Sequence, residues 1–115
     1  MTRSERAQQL WSLLALAATS RQVLTYDMVA RLTGVVRPSI GDFLRPIQQY
    51  CTENQLPPLT ALVVSEQTGI PGEGFIAVAD VPAAQMRVFD HRWLENNAPS
   101  AEQFEAAYSR APDRR

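Results

Sequence analysis

Between Leu24 and Phe75 the chain is punctuated so densely that few arrangements of elements can accommodate it. Thr25 stands where a helix N-cap belongs, ahead of Tyr26-Asp27-Met28-Val29-Ala30-Arg31-Leu32-Thr33. Asp27 falls in the first turn, where a carboxylate suits the helix dipole, and Gly34 supplies the left-handed stop. Met28, Val29 and Leu32 are the expected buried face. Val35-Val36-Arg37 makes a short turn, and Pro38 sits at the opening of a second helix, at N1 or N-cap. That helix should turn Ile40, Phe43, Leu44 and Ile47 inward. Pro46 lacks a backbone donor and its ring crowds the carbonyl four residues back, so a kink or break is expected there, with Ile47 to Asn54 continuing.

Leu56-Pro57-Pro58-Leu59 closes the helical stretch. Thr60 to Ser65, centred on Ala61-Leu62-Val63-Val64, reads as an apolar strand. Gln67-Thr68-Gly69 with Pro71-Gly72 reads as a turn, and Phe75 to Val78 as a returning strand or a short helix. Helix, tight turn, helix and hairpin together predict an α+β, mainly α, winged-helix-like fold.

The flanks extend this plan. Leu10, Leu13, Leu14 and Ala17 recur at helical spacing, with Ala7, Trp11 and Leu16 widening the stripe, so a first helix is expected over roughly residues 3–20. Gln22 to Leu24 is a short extended link. Pro82 opens a short helix toward Val88, and Ser100-x-x-Gln103 is a capping-box pattern for a last helix from Ala101 to about Arg110. Phe104, Ala107 and Tyr108 should face inward. Residues 1–110 form one domain, with a frayed tail over 111–115.

Composition removes several chemistries. There is one cysteine, Cys51, and one histidine, His91, in 115 residues, which rules out an intrachain disulfide and leaves no material for a cysteine-based zinc site. All eleven basic residues are arginine, so the P-loop lysine and Schiff-base chemistry are absent. His91 beside Asp90 reads as a packing or surface residue. The expectation is a chain that is not an enzyme, with no cofactor and no metal. The apolar run Leu10 to Ala18 is too short to span a bilayer, and Glu5 with the helical period argues against a secretory signal. A cytoplasmic protein without a membrane association is expected.

Charge is unevenly spread around a net value of −1. Residues 1–46 hold six arginines against three acids, a balance of +3, whereas residues 47–109 balance at −6. A basic first half could meet phosphate while the acidic half faces solvent or a partner.

Thr25-Tyr26-Asp27-Met28-Val29-Ala30 through Gly34, then Ser39-Ile40-Gly41 and Leu62-Val63-Val64, carry a family resemblance. This stretch resembles the winged-helix DNA-binding part of alkylguanine-DNA alkyltransferases and their catalytically inactive alkyltransferase-like relatives. The family shows a Tyr-Gly-x-hydrophobic-Ala helix, an Ala-Arg-Ala-Val-Gly recognition helix and a Pro-Cys-His-Arg-Val-Val strand. The likeness spans Leu24 to Phe75, about half the chain. It implies that Tyr26 approaches a DNA backbone. With the Val-Val pair on Val63-Val64, Thr60 takes the place of the reactive cysteine and Ala61 that of its histidine. Alkyl transfer to a thiolate is excluded in that alignment. The arginine that displaces a flipped base falls on Pro38, with Arg37 beside it.

Tyr26, Arg31, Arg37, Ser39, Gly41 and Arg45 are therefore the expected DNA-facing set. Guanidinium forks and hydroxyls suit phosphate oxygens, and Gly41 lets a helix come close to a groove. Glu66 and Glu73 in the hairpin turn, and Asp42 beside Gly41, oppose that role. Phe89 and Trp93 have two readings: anchors that tie the C-terminal segment to the core, or, if exposed, a protein interface. Two functions follow. One is a non-catalytic protein that binds double-stranded DNA as a regulator or accessory factor. The other is a protein-interaction module or homodimeric subunit that uses its acidic, aromatic C-terminal half.

Overall fold

The computed structural model describes residues 1–71 and 80–111. The expected return strand at 75–78, Glu73 and the tail beyond 111 fall outside them. Among the described residues there are five helices and a two-stranded sheet: α1 (Arg3–Thr19), β1 (Leu24–Thr25), α2 (Tyr26–Thr33), α3 (Ile40–Glu53), β2 (Val63–Val64), α4 (Val81–Asp90) and α5 (Ala101–Arg110). The class is α+β, mainly α. Short 3₁₀ turns at Arg37–Ser39, Leu59–Leu62 and Trp93–Glu95 join these elements.

Local chemistry fixes most boundaries. Thr2 and Glu5 form a reciprocal capping box at the start of α1, and Ser100 and Gln103 form another at α5. Asp80 caps α4 by accepting the Ala83 N–H. The Thr25 hydroxyl accepts the Met28 N–H at 3.1 Å, and Gly34 ends α2 with φ of 76°.

Helices α1, α3 and α5 pack together as the main core, with α4 and the Leu59–Leu62 turn against α1. Leu10 and Leu14 of α1, Ile40 and Ile47 of α3, and Phe104 of α5 are fully buried among them. Trp11 is the hub. Its ring lies 5.6 Å from Tyr50, 5.5 Å from Trp93 and 5.9 Å from Phe104. Leu16, counted in the apolar stripe, is exposed instead.

Three expectations are corrected. First, α3 runs unbroken through Pro46. The proline ring is fully buried in the core, and that burial offsets the backbone bond it cannot make. Second, Met28 and Leu32 point outward, while Val29 and Thr33 are buried. The inner stripe of α2 is Tyr26, Val29, Ala30 and Thr33, a helical spacing in which two members are polar. The Thr33 hydroxyl is accommodated by donating to the Val29 carbonyl at 2.7 Å and accepting the Val35 N–H at 3.2 Å.

Third, the strand is shorter than expected, and among the described residues it pairs with β1. Leu59–Leu62 is a 3₁₀ turn, and only Val63–Val64 is extended. These two pair in parallel with Leu24–Thr25, in the register Leu24 to Val63 and Thr25 to Val64. Residues 59–64 are all buried, so no alternation was present to distinguish strand from turn. A single antiparallel bridge joins Val64 to Pro71, closing the Ser65–Ile70 turn with a Ser65 N–H to Ile70 carbonyl bond of 2.8 Å. The parallel pair brings the start of α2 beside that turn.

Candidate nucleic-acid interface

Tyr26 opens α2, and Gly41 and Arg45 share a face of α3 at helical spacing. The three converge, with Leu44, Gln48, Thr60 and Pro71, on a recess of about 30 Å³. Thr60 is 4% exposed, and its hydroxyl oxygen is buried without a hydrogen-bond partner. A buried hydroxyl left so costs about 1–3 kcal/mol.

Arg37 joins the recess through Tyr26, its guanidinium 5.6 Å from the ring centre. Ser39 lies half-buried at the α3 N-cap, where its hydroxyl makes no capping bond. Arg31 is exposed in the last turn of α2 and does not line the recess. On the other flank, the Arg45 guanidinium lies 5.4 Å from the Tyr108 ring and that of Arg3 lies 3.9 Å from it. Tyr108 and Arg3 were not foreseen, because nothing local in the sequence links residues so far apart.

Acids temper this arginine-tyrosine surface. Arg37 Nη1 donates to Asp27 Oδ1 and to Glu66 Oε1, each at 2.7 Å, and Nη2 donates to the second Glu66 oxygen. Glu66 also accepts the Asp27 N–H at 2.7 Å. Arg45 pairs with Asp42 at 3.4 Å, and Arg3 with Glu105 at 2.7 Å. The objection raised by Glu66 and Asp42 in the sequence thus takes a definite form. The arginines expected on phosphate are already engaged with carboxylates.

Three of the ion pairs set a pH window. Arg37 above all, then the Asp27 N–H, holds the Glu66 carboxyl near about 2 instead of its ordinary 4.5. Arg110 does the same for Glu53 and Arg3 for Glu105, each held at about 2. A carboxyl depressed by folding adds stability above its unfolded pKa and loses it as pH falls through the folded one. Because all three pairs are exposed to solvent and screened by it, thermal melts should be level above about pH 5 and decline only slightly between about 4.5 and 2. A melting temperature unchanged across that interval would mean that the pairs contribute nothing.

Elsewhere the chemistry is quiet. Burial pushes the Cys51 thiol up to about 12, so it keeps its proton at neutral pH. His91 stacks on Trp93 at 4.4 Å, and Asp90 pairs with Arg21 at 3.1 Å. Trp93 is 5% exposed and donates its indole N–H to the Val88 carbonyl at 2.8 Å, while Phe89 packs half-buried against the core. The pair anchors the C-terminal segment, and the exposure that an interface required of Trp93 is missing. Among the described residues, no three His, Cys, Asp or Glu side chains gather to hold a metal, and no helix is long and apolar enough to cross a membrane.

Neither a family model, a curated protein nor a solved structure matches this chain. The reading of the face therefore rests on its own geometry.

Proposed function

We propose that this chain is a cytoplasmic, non-catalytic, winged-helix-like module that binds double-stranded DNA through the surface around Tyr26. One observation carries the reading. Tyr26 of α2 and Gly41 and Arg45 of α3 line one recess, and the Arg37 guanidinium lies over the same tyrosine. An α3 face opened by Gly41 approaches a groove, while Arg37 and Arg45 exchange their carboxylates for phosphate oxygens.

Because each phosphate taken up releases counterions, affinity must fall with salt. The two phosphate contacts, at Arg37 and Arg45, give about a twelve-fold loss between roughly 50 and 200 mM salt. A mobility-shift titration of a short duplex at those two concentrations tests it. Absence of binding at the lower concentration, or equal binding at both, overturns the proposal.

An exposed row on and just after α2 favours a second reading, a protein-interaction module. Met28, Leu32 and Val36 are 44%, 60% and 66% exposed. This row replaces Phe89 and Trp93 as the surface such a role would use. A monomeric mass in solution would remove its homodimeric form.

A further inference from the structure

Arg37 offers the fork best suited to a phosphate, and Glu66 fills it. Nη1 and Nη2 meet both oxygens of one carboxylate, the bidentate end-on geometry that a phosphate could also adopt. Glu66 belongs to the Ser65–Ile70 turn, held at its base by the Ser65 N–H to Ile70 carbonyl bond and the Gly69 N–H to Ser65 carbonyl bond, both 2.8 Å. The ion pair lies at the surface. The side chains of Arg37, Asp27 and Glu66 are 45%, 54% and 29% exposed. Exposed pairs of this kind add little to folding stability, so exchanging one of them costs the fold little.

We propose that Glu66 is a built-in competitor that occupies the phosphate seat on Arg37, so that DNA gains this contact only by displacing it. The inference rests on the DNA-binding reading and adds a regulation to it. Asp27 stays beside Arg37 when Glu66 leaves, so the site retains one negative charge. A lone phosphate ion gains too little to displace the carboxylate. A duplex, which engages Arg45 and its neighbours at the same time, brings an effective concentration that a free ion lacks. The turn thus selects polyanions over single anions.

The test is Glu66→Gln, which keeps the length and an oxygen able to accept the Asp27 N–H but removes the charge. If the fork is vacant in about one molecule in ten, deleting the competitor raises duplex affinity about tenfold. The gain should vanish in the Glu66→Gln/Arg37→Ala double variant, and inorganic phosphate should compete better against duplex binding by Glu66→Gln than by the parent. Should Glu66→Gln fail to fold, Glu66→Ser serves, since it shortens an exposed side chain without adding bulk. A parent that binds DNA alongside a Glu66→Gln of equal or lower affinity overturns the competitor and leaves DNA binding standing. A gain that survives Arg37→Ala also overturns it, as a general charge effect. If neither protein binds at low salt, both proposals fall.

Discussion

Trp93→Ala is expected to remove about 3–5 kcal/mol of stability, a large share of the roughly 5–15 kcal/mol that holds a domain of this size. The indole is 5% exposed and meets Trp11 edge-on at 5.5 Å. Alanine would leave a cavity beside Trp11 and remove the 2.8 Å indole N–H bond from the Val88 carbonyl, which keeps only the His91 N–H at 3.3 Å. The drop in melting temperature should be roughly 10–20 °C by circular dichroism. Phe89→Ala, at a half-buried site, should cost clearly less. A Trp93→Ala protein that melts like the parent but changes its mass in solution would restore the interface role that burial argues against.

The second large effect concerns binding. Arg37→Ala is expected to weaken duplex affinity about tenfold at low salt and to reduce the salt slope by about 0.9, the signature of one lost phosphate contact. Arg37→Lys should recover only part, because an ammonium carries the charge without the fork. Arg31→Ala is the control, since Arg31 is exposed and does not line the recess. Equal losses for Arg31→Ala and Arg37→Ala would mean diffuse attraction with no particular seat.

What could be read from the sequence follows the range of the interactions. The starts of α2 and α5 and the end of α2 depend on Thr25, Ser100 with Gln103, and Gly34, each acting within four residues, and each boundary stands where the residues put it. Long-range pairing left no such mark. The parallel contact of Leu24 with Val63 depends on α2 and α3 folding between them, and the 59–64 run is buried on every side. Pro46 was read through its missing donor, whereas its ring is held by the core around it. Polar Tyr26 and Thr33 disguised the inner stripe of α2, and so Met28 and Leu32 were placed inside.

The candidate site divides the same way. Tyr26, Gly41 and Arg45 could be chosen from helix position and residue type, and they do meet. The carboxylates that hold Arg37 come from the start of α2 and from a turn beyond β2. Only the folded chain brings Glu66 to that guanidinium. Arg31 does not line the recess.

The most direct measurement is backbone amide NMR of the folded protein during titration with a short duplex at about 50 mM salt. DNA recognition by this face predicts shifts that cluster at Tyr26, Arg37, Gly41 and Arg45 and in the Ser65–Ile70 turn as Glu66 is displaced. Shifts confined to Met28, Leu32 and Val36, or none at all, would contradict it.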